Sequence, residues 1–334
     1  MSEPMRGAAP HAAGSKPKLK AAVVGVGALG RWHAQKYTML EGVELHAVAD
    51  VDAQRAQEVA AQYGVHGVTD FRELLSGVDL VSVVVPTESH YDVAHACLEA
   101  GAHVLVEKPI ASTLEQADRL IVLAERRGLV LAVGHLERFN PAFVDLSGML
   151  DRPFFIEAER LGGFKGRGTD VDVVLDLMIH DIDLVLAMMP SKVASVSACG
   201  FQVLTDLVDI ANARIEFEDG AVADLSASRV SRSPVRKLRV FGTHFYASAD
   251  LNVPELRVER RPGADGGDSN ARGYDGADAL LREIEGFVDT VRGNGGRIVS
   301  GREGRSALAL ALEVNDAIRS RIERFSTINA NVLA

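Results

Sequence analysis

The sequence predicts an α/β domain with a doubly wound parallel sheet, followed by an α+β domain on a largely antiparallel open sheet. Three observations lead there. Short apolar runs alternate with helix-length segments between residues 19 and 133. From about residue 154 the apolar residues alternate along the chain instead, and Glu218-Asp219-Gly220 makes an Asp-Gly hairpin turn. The 334 residues suffice for two domains.

Hydrophobic residues are 47% and charged residues 25%, as in ordinary soluble globular chains. The net charge of -10 excludes a nucleic-acid surface. Cys97 and Cys199 form neither a disulfide framework nor a metal-ligand spacing, so no metal is expected and a reducing, cytoplasmic setting is. No apolar run approaches the roughly 20 residues that span a bilayer, so no membrane partner is expected. Residues 1–18 carry Ala, Gly, Pro and Lys without an apolar stretch and read as a disordered tail, not a signal peptide.

The first domain is expected over residues 19–135. Leu19 to Val24 is a strand, Gly25-Val26-Gly27-Ala28-Leu29-Gly30 follows at once, and Arg31 to Leu40 is a helix. This G-x-G-x-x-G between strand and helix is the context of a dinucleotide-binding Rossmann unit. Gly25 permits the tight turn, Gly27 lets a pyrophosphate approach, and Gly30 allows close helix–strand packing. Ala28 and Leu29 complete the loop, and the helix amino end attracts phosphate. The strand Val43–Ala49 ends at Asp50, twenty residues beyond Gly30, where an acid holds the adenosine ribose hydroxyls. Asp50 serves equally as a cap for a helix over Ala53–Tyr63. Asp50 and Asp52 would repel a 2′-phosphate, which favours NAD over NADP, although Arg31 and Arg55 are nearby cations.

Val65–Thr69 is extended, Asp70 caps Phe71–Leu75, and Val78–Val85 is a buried strand. Pro86 to His90 reads as a loop before a helix over Tyr91–Ala100. Val104–Val106 is another buried strand, with Glu107 and Lys108 at its carboxyl end and Pro109 stopping the pairing. Ligands of open α/β sheets bind just outside such ends. A helix over Leu114–Arg127 and a strand over Leu129–Val133 complete the domain.

The second domain, 136–334, opens with His135–Pro141 and a helix over Ala142–Leu150. Strands are expected at Phe154–Leu161, Ser195–Ala198, Ala211–Phe217, Ala221–Ser228 and Leu238–Phe241. Asp170–Met189 is a mostly apolar, buried helix. Its polar stripe, Asp172, Asp176 and His180, must find partners or line a cavity. Residues 257–276 read as a surface loop, and 277–292 and 305–322 as packing helices.

Gly25–Gly30, Asp50, Pro86-Thr87-x-x-His90, Glu107-Lys108-Pro109 and Asp176-x-x-x-His180 occur in this order. The sequence thereby resembles the glucose–fructose oxidoreductase / inositol dehydrogenase (Gfo/Idh/MocA) family of NAD(P)-dependent sugar dehydrogenases, over nearly the whole chain after the tail. The resemblance implies that Lys108 lies beside the nicotinamide ring and the reacting carbon, and that Asp176 and His180 are the acid/base pair. It also implies a homo-oligomer, a dimer or tetramer, and a Lys–Pro bond that is often cis. Many members carry Gly-Gly shortly before the Asp; here Val173-Val174-Leu175 stand there instead. The segment from Gly166 to Asp183 is similar to a subgroup that oxidises UDP-N-acetylglucosamine at the 3-position.

The chemistry expected is oxidation of a secondary sugar hydroxyl to a ketone. His180 is the natural base, Lys108 stabilises the alkoxide, and Asp176 orients the His180 ring. Glu107 organises Lys108 or the cofactor amide. Pro86, Thr87 and His90 border the cofactor. Asn140 and Asp172 are placed near the substrate, and Arg160, Lys165 and Arg167 would meet the diphosphate of a nucleotide sugar or else be solvated loop charges. Three other readings stay open: a dehydrogenase of a free polyol or inositol, a non-catalytic NAD sensor, and an enzyme that uses a tightly held cofactor for non-redox chemistry such as glycoside cleavage through a transient ketone.

Overall fold

The computed structural model describes residues 18–149, 152–164, 171–261 and 270–330. Nearly all of the expected tail, with Lys165 and Arg167, lies outside that set. The first unit runs β1 (Leu19–Val24), α1 (Ala28–Met39), β2 (Val43–Ala49), α2 (Ala53–Tyr63), β3 (His66–Val68), β4 (Leu80–Val83), α3 (Thr87–Glu99), β5 (His103–Glu107), α4 (Leu114–Arg127) and β6 (Leu131–Gly134). The strands pair in parallel in the order β3-β2-β1-β4-β5-β6. The order reverses between β1 and β4, which opens a crevice at their carboxyl ends. The valine-rich runs of β1, β4 and β5 are apolar on both faces because helices cover both.

Two local expectations need correcting. Helix α2 is capped by Asp52, whose carboxylate accepts the Arg55 N–H at 3.1 Å; Asp50 is turned inward instead. The residues 87–90, expected in a loop, are the first turn of α3 with Pro86 at its N-cap. Proline is tolerated there because its missing N–H would have had no partner.

The second unit holds α5 (Pro141–Met149), β7 (Pro153–Leu161), α6 (Ile179–Met188), β8 (Val193–Phe201), β9 (Ile210–Phe217), β10 (Val222–Ser228), β11 (Val235–Gly242), β12 (Phe245–Asp250), β13 (Glu255–Arg260), β14 (Asn270–Gly273), α7 (Ala279–Val291) and α8 (Gly301–Ala330). Its sheet order is β14-β13-β12-β11-β7-β10-β9-β8, antiparallel throughout except for the β7–β10 pair. The loop expected over 257–276 is partly strand. Leu256 and Val258 point inward while Arg257 and Glu259 point out, a period of two masked by the surrounding charge.

One face of this sheet is covered by α6 and α8, where Ile182, Val185, Val314 and Ile318 pack on Ile156, Ile215 and Leu225. Packing also crosses the expected boundary at residue 136. Leu280, Ile284 and Phe287 of α7 join the core of the first sheet beside Val23 and Tyr37, and α8 touches α4, β6 and β8. Both units therefore share helices, which fixes the crevice between them. Among the described residues no helix is long and apolar enough to cross a membrane.

Candidate active site

The crevice is a cavity of ≈ 920 Å³ whose walls include Gly25, Gly27, Leu29, Asp50, Pro86, Thr87, Glu107, Lys108 and Asp176. Gly25 has φ +86, and a Cβ there would collide with the Val84 carbonyl. A Cβ on Gly30 would strike the Gly25 carbonyl, so Gly30 packs the helix onto the strand and, like Ala28, is not a wall. A Cβ on Gly27 would meet no protein atom; the space before it belongs to the cleft. Asp50 is buried, accepts the Val26 N–H at 2.9 Å and the Asp52 N–H at 3.0 Å, and pairs with Arg55 at 3.1 Å. Arg31 is taken up by Glu58 at 2.9 Å. The glycine loop, an open helix amino end and an inward acid fit a dinucleotide.

Lys108 stands where β5 ends, before a cis bond to Pro109. Its ammonium donates to the Asp176 carbonyl at 2.6 Å and lies 3.5 Å from the Asp176 carboxylate. At the crevice, Lys108 of the first unit thus contacts Asp176 of the second. Burial pushes the Lys108 ammonium below its ordinary range, and Asp176 and Glu107 oppose the shift.

The helix expected over 170–189 is not uniform. Asp172 caps it, accepting the Val174 and Leu175 N–H groups at 2.9 and 3.0 Å and the Asn315 amide at 2.8 Å. A π-helical turn over Val174–Met178 follows before α6. In a π turn the residue five along closes the ring, so four-residue spacing no longer stacks side chains. Asp176 consequently faces Lys108, and the expected Asp176–His180 contact is not made. His180 is half-buried on α6, is not itself a wall of the cavity, and keeps Nδ1 buried without a partner. Burial, then Lys108, Arg160 and His135, push its imidazole well below the ordinary range. Its ring lies edge-on to His135, with centroids 6.5 Å apart.

Several residues expected at substrate or cofactor are committed elsewhere. His90 is buried, its ring nitrogens 2.7 Å from the Pro109 carbonyl and 2.9 Å from that of Val85; it fastens the ends of β4 and β5 together rather than facing the cavity. Asn140 receives the Ala142 N–H at 3.1 Å and donates to the Leu251 carbonyl at 3.0 Å, anchoring α5. Arg160 is buried with Asp181 at 2.8 Å and Glu137 at 2.7 Å, and Asp172 is spent on its cap. Charged side chains with buried partners are not free to meet a diphosphate. Arg160→Ala leaves Asp181 and Glu137 buried and short of a cation. The expected outcome is a loss of about 3–5 kcal/mol in urea unfolding, with little change in substrate KM if the protein still folds.

Sequence reasoning passed over His33, Ser82 and Glu283. All three are buried, and nothing in a helical or valine-rich stretch marks a buried polar group whose partner lies 49 or 74 positions away.

With this geometry in hand, comparison with known proteins is decisive. Residues 19–135 match the family model described as "Oxidoreductase family, NAD-binding Rossmann fold", and residues 155–247 match the GFO/IDH/MocA C-terminal domain. The chain belongs to the Gfo/Idh/MocA oxidoreductase family. A relative from Acidithiobacillus ferrooxidans, UDP-N-acetylglucosamine 3-dehydrogenase, is 41% identical over 92% of this chain and 99% of its own. Its solved structure superposes with TM-score 0.86 at 40% identity, over 91% of this chain and 99% of that one. A more distant member, the myo-inositol 2-dehydrogenase of Thermotoga maritima, is 28% identical over 91% of this chain and 97% of its own. Members of this family are NAD-binding oxidoreductases, and so is this chain.

Proposed function

We propose that the protein oxidises the 3-hydroxyl of UDP-N-acetylglucosamine to the 3-keto sugar with NAD. The observation that carries this reading is Lys108, held by the Asp176 backbone in a cavity that the glycine loop and Asp50 also line. Bound NAD supplies the hydride acceptor, C4 of its nicotinamide. The Gly25–Gly30 loop and the amino end of α1 would hold its diphosphate, Asp50 would take the adenosine ribose, and Pro86 and Thr87 would border the rest. Lys108 keeps its positive charge against the alkoxide that develops as the hydroxyl loses its proton. His180 takes that proton at Nε2, since Nδ1 is the buried nitrogen. Asp176 holds the Lys108 ammonium in register.

NAD is preferred over NADP because Asp50, a wall of the cavity, and nearby Asp52 would repel a 2′-phosphate, and Arg55 is already engaged by both. A homo-oligomer, dimer or tetramer, is proposed from the open antiparallel sheet, and a reducing cytoplasmic setting from the two free cysteines. A panel of UDP-sugars, free sugars and inositols with NAD or NADP, followed by absorbance of the reduced cofactor, tests the assignment. UDP-N-acetylglucosamine with NAD is expected to give the fastest signal; faster turnover of inositol would replace the substrate.

A further inference from the structure

Behind Lys108 runs a line of buried polar side chains that the reaction as described does not use. Tyr37 and His33 lie on α1 and Ser82 on β4, all sealed from solvent. Tyr37 Oη is 2.9 Å from Ser82 Oγ, Ser82 Oγ is 3.1 Å from His33 Nδ1, and His33 Nε2 is 3.2 Å from Glu107 Oε1. The Lys108 N–H donates to Glu107 Oε2 at 3.3 Å. Counting protons gives the His33–Glu107 contact a direction. An ionised Glu107 has none to give, so His33 Nε2 carries the proton. Through Nδ1 the same ring meets the Ser82 hydroxyl, which in turn meets Tyr37 Oη. Beyond it β6 leaves no slack, since a Cβ on Gly134 would come within 2.8 Å of Glu107 Oε1.

We propose that Tyr37, Ser82 and His33 keep Glu107 ionised beside Lys108, and that His33 is a positioning residue acting on the Lys108 ammonium through Glu107. The inference rests on the reading of Lys108 as the charge at the reacting hydroxyl. Glu107 faces His33 from α1, Lys108 on its own strand, His90 from α3 and Glu283 from α7. Lys108 faces Asp176 from the π turn, Arg160 from β7, His135 beyond β6 and His180 on α6. Burial works to raise the Glu107 carboxyl, but the His33 bond, with Lys108 and His90, outweighs it and holds the carboxyl low. Burial, with Glu107 and Asp183 nearby, lifts Glu283 well above its ordinary range, while Glu107 is held low, so the negative charge on this side favours Glu107. Without His33, Glu107 would protonate and Lys108 would lose an anionic neighbour. Its ammonium would then release its proton at lower pH.

Competitive acetylation of Lys108 by acetic anhydride across pH, read by peptide mass spectrometry on the full chain, reports that titration without substrate or added cofactor. His33→Leu and Glu107→Gln are each expected to lower the Lys108 midpoint by about one pH unit, which is about tenfold faster labelling at a fixed pH below it. His33→Gln keeps an N–H toward Glu107 and a polar atom toward Ser82, and is expected to restore the midpoint. The double variant should move no further than Glu107→Gln alone. A midpoint unmoved in Glu107→Gln overturns the proposal whether or not His33→Leu folds. So does a midpoint that moves in Glu107→Gln but not in folded His33→Leu, or two shifts that add. The role of Lys108 itself is judged separately by turnover of Lys108→Ala: activity there removes Lys108 from the reaction and leaves the labelling result standing.

Discussion

Lys108→Ala is expected to lower kcat about a hundredfold to a thousandfold while NAD affinity changes little, a loss of roughly 2.7–4 kcal/mol in transition-state stabilisation. The ammonium is the cation that both units converge on in the cavity wall, with its bond to the Asp176 carbonyl at 2.6 Å. A charge already fixed in a partly buried site needs no reorganisation when the alkoxide forms. The glycine loop and Asp50 are untouched by the change, so cofactor titration monitored by fluorescence is expected to give a near-normal Kd. Loss of NAD binding in step with turnover would assign Lys108 to the cofactor instead.

His180→Ala is expected to reduce kcat by at least about a hundredfold as well. Burial, Lys108, Arg160 and His135 all act to keep this imidazole neutral. A depressed pKa means that the ring takes up a proton, and the base is lost, only on further acidification. The acidic limb of kcat is therefore expected below about pH 6.5, the ordinary imidazole value. A limb at or above that value would mean that another group titrates, and near-normal turnover of His180→Ala would remove His180 from the mechanism.

The legible parts of this chain are those whose chemistry is local. Gly25, Gly27 and Gly30 between an apolar run and a helix, and Asp50 twenty residues on, declare the crevice because each role depends on neighbours in sequence. Lys108 was legible for the same reason, since a charge at the end of a buried strand has one place to go. What the sequence concealed depends on partners far along the chain. Arg160 reads as a loop cation, yet Asp181 and Glu137 consume it in the core. His90 reads as a loop histidine and is a buried staple between two carbonyls. The four-residue stripe of Asp172, Asp176 and His180 assumes a regular helix, and one π turn redistributes the three residues among a cap, a lysine contact and a half-buried imidazole. In β13, outward Arg257 and Glu259 hid the inward Leu256 and Val258.

The central claim is that an ammonium from the first sheet and an imidazole from α6 act together on one hydroxyl. The most direct measurement is kcat of the Lys108→Ala/His180→Ala double variant beside the two single variants, with UDP-N-acetylglucosamine and NAD. Groups that work as a unit give losses that do not multiply, so the double variant is expected within about tenfold of the worse single one. A double loss equal to the product of the single losses, about ten-thousandfold or more, would show two independent contributions and contradict the account.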